Sequence, residues 1–232
     1  MANTGFFVEY RASDIKHKIN MLGVYPVDIL LTGVTGAGKS TTINALFDEE
    51  LAKVGTGVDP ETMELKSYEL NECLRFWDTP GLGDGRQHDI EHGKKIVDLL
   101  NKTYEENQYG FIDLVVIIIE GINRDMGTTY KLINDIVLPN ITSDRVLICV
   151  NQADMAQKGR HWVRNVPDAE LTRFLKEMCQ SIKRRVKEAT GMNIKTPIYY
   201  SAEHKYHLTE LLDFIIDNIP KKKRKYGDKG LV

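Results

Sequence analysis

The sequence predicts an α/β domain with a mostly parallel sheet and helices on both faces. Two observations carry this expectation. Short β-rich apolar runs alternate with segments whose apolar residues recur at helical spacing. The runs are apolar nearly throughout, as in VDILLTG at 27–33 and IDLVVIIIE at 112–120, and so read as strands buried on both faces rather than on one. A chain of 232 residues can bury one sizeable core with small extensions.

Taken in order, residues 1–26 predict a short helical extension, with 20–26 joining it to the first strand. Strands are expected at 27–33, 65–71, 73–79, 112–120, 145–151 and 196–202. A helix opens with TTINALF after the first strand. Another carries Leu171, Phe174, Leu175, Met178, Ile182 and Val186 on one face and stops at Gly191. The last presents Leu208, Leu211, Leu212, Ile215, Ile216 and Ile219 in the same way. The main domain thus spans 27–219, followed by a basic tail at 220–232 that contains KKKRK, Lys221 to Lys225.

Hydrophobic content of 42%, charged content of 28% and a net charge of −2 are ordinary for a globular protein. They argue against a surface built as a whole for nucleic acid. Cys73, Cys149 and Cys179 are odd in number and far apart, which predicts reduced, buried thiols. The N-terminus has neither a basic start nor an apolar core of signal-peptide length, and no run approaches the ~20 residues of a membrane span. A cytoplasmic protein is the expectation.

The first strand ends in GVTGAGKS, which satisfies G-x-x-x-x-G-K-[ST]. Its glycines let successive backbone N–H groups point inward at phosphate oxygens, Lys39 can reach the β and γ phosphates, and the Ser40 hydroxyl can bind Mg²⁺. Gly33, Thr35, Gly36, Ala37, Gly38, Lys39, Ser40 and Thr41 are therefore the candidate phosphate-binding segment. Asp78 ends a second buried strand, placed to hold Mg²⁺, and Gly81 of the same DTPG leaves its N–H free to approach a γ-phosphate. NQAD (Asn151, Gln152, Asp154) and SAE (Ser201, Ala202) follow two later strands, at the ends where open α/β sheets bind ligands. The Asp154 carboxylate can accept from the N1 and N2 donors of guanine, a pair adenine lacks, and the Ala202 N–H can meet O6.

Together, GVTGAGKSTTINALF, DTPG, NQAD and SAE resemble the motifs of translation-factor-class GTPases, specifically the Era-like branch that includes septins, chloroplast import GTPases and immunity-associated GTPases. The resemblance implies a Ras-like P-loop G domain with GTP or GDP and Mg²⁺ as ligands. It also implies a switch threonine that closes over Mg²⁺ and the γ-phosphate. Thr62, ahead of the strand at 65–71, is the choice for this role, with Thr56 as the alternative.

Two further departures from the family pattern are informative. Gln152 replaces the usual lysine, whose stem covers the guanine ring and whose charge contacts the P-loop, so weaker support for the base is expected. Leu82 stands where Ras-type GTPases place the glutamine that orients the attacking water. Relatives that use potassium hold it with a P-loop asparagine, but the matching residue is Gly36. Arg86, His88 and His92 lie near, and are read as solvated helix-start residues.

The family likeness suggests one replacement for the missing group. Arg124 follows the strand at 112–120, where relatives place an arginine that crosses a nucleotide-facing dimer; a surface pair with Asp125 is the alternative. The expected function is a slow, Mg²⁺-dependent GTPase switch, possible partners being a second copy across the nucleotide face and, through the tail, anionic lipid or RNA. A GTP-dependent assembly protein is the second reading. An ATP-dependent P-loop enzyme is the third, disfavoured by NQAD and SAE.

Overall fold

The computed structural model describes residues 9–22, 26–46, 54–55, 66–71, 73–83, 85–104, 109–122 and 126–225. The proposed switch threonine Thr62, its alternative Thr56, and the Arg124–Asp125 pair lie outside these residues.

Nine strands are described, numbered in chain order: β1 Val27–Gly33, β2 Val54–Gly55, β3 Lys66–Asn71, β4 Leu74–Asp78, β5 Leu114–Glu120, β6 Val146–Asn151, β7 Trp162–Val163, β8 Val166–Pro167 and β9 Ile198–Tyr199. Seven form one sheet in the order β2-β3-β4-β1-β5-β6-β9. The β4-β1-β5-β6-β9 neighbours pair in parallel, while β2-β3 and β3-β4 are antiparallel. Every residue of β1 and β6 is buried, as their mostly apolar sequences predict, and the polar Asp28, Thr32 and Asn151 are buried with them.

The helices are α1 Ala12–Leu22, α2 Lys39–Leu46, α3 Arg86–Asn101, α4 Gly127–Lys131, α5 Ala169–Thr190 and α6 Leu208–Asp217, with α4 running on into a wider π turn over Leu132–Val137. Strand side chains alternate between faces. Ile29, Leu31, Val116 and Ile118 meet Ile15, Ile19, Ile43 and Ile215 of α1, α2 and α6 in one core. Leu30, Val115, Ile117 and Ile119 meet Ile96, Leu132, Ile182 and Val186 of α3, the π turn and α5 in the other. Two cores on opposite faces of one mostly parallel sheet make this a three-layer α/β domain, the architecture expected of a Ras-like G domain. Helix α5 begins at Asp168, whose carboxylate accepts from the N–H groups of Glu170 and Leu171, and ends at left-handed Gly191, as its sequence predicts.

The last strand departs from expectation. It was predicted over 196–202 but pairs only at Ile198–Tyr199. Pro197 has no N–H to offer a ladder, and beyond Tyr200 the chain folds back, with Ser201 and Tyr206 exchanging backbone hydrogen bonds. The β7-β8 hairpin was not anticipated: its strands are two residues each, too short to show a period, and Arg164 and Asn165 supply the two positive-φ turn residues.

The basic run also needs correction. Lys223 and Arg224 are buried, leaving Lys221, Lys222 and Lys225 exposed. Lys223 pairs with buried Asp113, and Arg224 donates to the carbonyls of Leu100 and Asn140. Two of the five cations therefore belong to the packed base of the sheet, where unmet backbone and carboxylate acceptors needed donors, and a solvated or ligand-binding run of five does not exist. Cys73, Cys149 and Cys179 are free and buried; burial pushes the Cys179 thiol up to about 12 and that of Cys149 higher still, so both are inert. Among the described residues no helix is long and apolar enough to cross a membrane.

Candidate functional site

The GVTGAGKS loop leaves the C-terminal end of β1 and opens α2. A hollow of about 600 Å³ there is lined by Thr35, Gly36, Gly38, Lys39, Ser40, Thr41, Asp78, Gly81 and Gln152, so the structure brings the first strand's loop, the DTPG turn and NQAD to one place. Gly33 and Ala37 are buried behind the loop. Lys39 is 9% exposed, and its Nζ donates to the carbonyls of Gly33 (3.3 Å) and Val34 (3.1 Å), which folds the ammonium under the loop. The hollow therefore offers a fixed cation, a hydroxyl and a half-buried carboxylate around a helix N-terminus, a donor set suited to phosphate and a hard divalent cation.

Asn151 organises the other side. Its Nδ2 donates to the Ala37 carbonyl (3.0 Å) and its Oδ1 accepts from the Ala202 N–H (3.0 Å), so one buried amide ties loop, NQAD and SAE together. This clamp explains Gly38, which has φ +83°, and where an added Cβ would lie 2.3 Å from Asn151 Nδ2. Ser201 is fully buried, and its Oγ accepts from the His204 N–H. Asp154 is 7% exposed, with Oδ1 buried and making no hydrogen bond to a described residue, while His204 Nε2 lies 3.8 Å from Oδ2. A buried acceptor left open in a folded protein is costly. It fits a ligand with paired donors, as guanine has.

Gln152 revises one expectation. Its backbone takes a left-handed φ of 57°, and its Nε2 donates to the Gly36 carbonyl at 2.8 Å. The neutral side chain thus keeps a contact with the loop, without the lysine's charge.

Leu82 is 1% exposed and packs in the core with Trp77, Ile96 and Ile119. Its backbone does the work at the site: Thr35 N–H donates to the Leu82 carbonyl (2.6 Å), Leu82 N–H donates to Gly33 (3.3 Å), and Val34 bridges to Leu82 as a short parallel pair. Gly81 consequently lies flat on the loop, with room for no side chain, since an added Cβ would be 2.6 Å from Thr35 N. Leu82→Gln should therefore bury an unmatched amide, cost about 2–3 kcal/mol of stability, and leave GTP turnover no faster. Urea unfolding and a phosphate-release assay check both, and a ~100-fold rise in turnover would show that glutamine alone was missing.

Two neighbours escaped the sequence reading. Glu120 ends β5 beside the loop, and an added Cβ on Gly36 would lie 3.1 Å from its Oε1; burial raises its pKa while Lys39 pulls it back. His92, read as solvated, reaches the Gly81 carbonyl at 2.6 Å.

Residues 28–186 match the profile of the family described as 50S ribosome-binding GTPase. GTPase Der of Rickettsia canadensis (strain McKiel) is 24% identical over 193 residues, covering 81% of this chain and 38% of that protein. Translocase of chloroplast 132 of Arabidopsis thaliana is 23% identical over 215 residues, covering 88% of this chain and 17% of that protein. The chain thus spans well under half the length of these curated relatives. Among solved structures, Toc33 from Arabidopsis thaliana in complex with Mg²⁺ and GMPPNP superposes with a TM-score of 0.58 at 16% identity, covering 94% of this chain and 97% of that one. A GTP-binding protein from Sulfolobus solfataricus in complex with GDP gives 0.53 at 16% identity, covering 90% and 57%. At such identities the likeness establishes the fold.

Proposed function

The chain belongs to the family of 50S ribosome-binding GTPases, and from that premise we propose that it binds GTP and GDP with Mg²⁺ and slowly hydrolyses GTP to GDP and phosphate as a molecular switch. The observation that carries the choice of base is the buried, open Oδ1 of Asp154, three positions after the Asn151 that ties the loop to Ala202. Lys39 and loop N–H groups between Gly36 and Thr41 take the phosphates, Ser40 and Asp78 hold the metal, and Asn151, Gln152, Ser201 and Ala202 shape the base pocket. Bound Mg²⁺ neutralises charge on the transferring phosphoryl group. Thr62 is proposed from the family likeness as the switch threonine that joins it.

Replacing Asp154 with asparagine tests the base assignment. The new amide places a donor against guanine donors, which should cost about 2 kcal/mol and shift preference toward XTP, whose C2 carbonyl accepts. Competitive binding of GTP and XTP reads this directly; a variant that still prefers GTP sinks the reading.

The burial of Leu82 supports a further step: the group that completes hydrolysis comes from elsewhere. We place this chain in the Era-like branch and assign that role to Arg124 of a second copy, a fixed positive charge beside developing phosphate charge. Turnover per molecule should then rise with protein concentration, and Arg124→Ala should flatten the rise without weakening GDP binding. Nucleotide-controlled assembly with incidental turnover is the second reading, favoured if dimerisation follows GTP analogue binding but turnover does not follow dimerisation. A cytoplasmic location is proposed too, in keeping with three free, buried thiols.

A further inference from the structure

Leu82 anchors the DTPGLG turn to the core by its side chain and to the loop by its backbone, and the turn is also gripped from outside. Two side chains on the first turns of α3 do so. His92 Nδ1 lies 2.6 Å from the Gly81 carbonyl, and Asp89 Oδ1 accepts from the Gly83 N–H at 2.6 Å. A carbonyl only accepts, so Nδ1 carries the proton and the ring is held in a defined orientation. The peptide that joins Gly81 to Leu82 is therefore pinned at both ends, its C=O by His92 and its N–H by the Gly33 carbonyl. Gly81 fills a gap over Thr35 too narrow for a Cβ, so rotation of this peptide would drive the turn away from the loop or into it. The His88 ring lies nearly parallel to that of His92, with centroids 6.2 Å apart.

We propose that His92 is a positioning residue for GTP hydrolysis: by donating to the Gly81 carbonyl it fixes the DTPGLG turn against the GVTGAGKS loop, with Asp89 holding the turn's far end, so that turn and α3 move as one body. This rests on the GTPase reading above. The bond matters most for the step in which Gly81 faces the transferring phosphate, and little for holding a diphosphate, because the contacts of Lys39, Asn151 and Asp154 do not pass through the turn. Misplacement of the turn by about 1 Å is enough to slow the reaction many-fold.

Two variants separate the hydrogen bond from mere packing. His92→Phe keeps a ring beside His88 but has no donor; His92→Gln keeps an amide donor but has no ring. Steady-state GTP hydrolysis, GDP affinity by calorimetry and thermal unfolding are measured for both and for the wild type. His92→Phe is expected to lower kcat by about tenfold or more with KM for GTP and GDP affinity near wild type, and His92→Gln to recover most of kcat. Should His92→Phe retain full kcat, or should His92→Gln be the slower of the two, the ring is packing and the proposal falls while the GTPase reading stands. A parallel loss of kcat, GDP affinity and thermal stability in both variants would likewise reduce His92 to a structural role. Wild-type protein that binds GTP without hydrolysing it would overturn the GTPase reading and this inference with it.

Discussion

Lys39→Ala should weaken guanine nucleotide binding by about 100-fold, near the ~3 kcal/mol upper end for a charge-assisted contact. The upper end is expected for two reasons. Lys39 is 9% exposed, so its charge acts through a medium that screens poorly. Glu120 stands on the other side of the loop, and Lys39 already draws its pKa down against the pull of burial; without the lysine, any charge left on Glu120 would repel a phosphate unopposed. The fold should tolerate the change, because the carbonyls of Gly33 and Val34 lose a donor but can take water from the open hollow. Calorimetry with GDP measures the loss. Affinity unchanged from wild type would mean that the loop at the end of β1 does not hold the phosphates.

Each part of the site that was legible in the sequence is local. GVTGAGKS, DTPG, NQAD and SAE are backbone geometries at strand ends, and a run of three to eight residues contains all the information that each needs. What joins them was not legible, because it depends on contacts between distant segments. Asn151 reaches Ala37 across 114 positions and Ala202 across 51, and no periodicity announces either bond. Leu82 shows the limit from another side: an apolar side chain is legible as unable to orient water, but only the structure shows that it is core on one side and a backbone brace on the other. His92 was read as solvated because exposure at a helix start is the usual fate of a polar residue, and the half-buried contact with a carbonyl eleven positions away has no mark in the local sequence. Gln152 was read as a loss against the family lysine, since a left-handed backbone that turns its amide onto Gly36 has no signature in the side-chain type. The β9 strand was overextended for a plainer reason: an apolar run reports burial, not pairing, and Pro197 and the turn at 201–206 stop the ladder.

Lys223→Ala should destabilise the domain by about 3–5 kcal/mol, the usual consequence of removing one partner from a buried ion pair. The Lys223 and Asp113 side chains are each 3% exposed, and Lys223 Nζ also lies 4.8 Å from the centre of the Tyr104 ring. Tyr104 in turn donates to Asp28, which also accepts from Arg75 Nε and Trp77 Nε1. The pair thus belongs to a polar network packed under the starts of β1 and β5. Burial raises the pKa of Asp113 and Lys223 opposes the rise, so loss of the lysine should lift it further. A carboxyl whose folded pKa exceeds its unfolded value binds more protons folded than unfolded, and its contribution to stability falls as pH rises through that interval. The deficit of Lys223→Ala should therefore be largest near neutral pH and shrink on acidification toward the ordinary carboxylate range, with both measured by urea unfolding. Asp113→Leu combined with Lys223→Met should recover most of the loss, since a packed apolar pair needs no charge balance. GDP affinity should not change in either variant, because the nucleotide site lies at the opposite ends of the same strands. A cost below ~1 kcal/mol would correspond to an exposed pair, and would mean that the segment from Lys222 to Lys225 does not close the base of the sheet in solution.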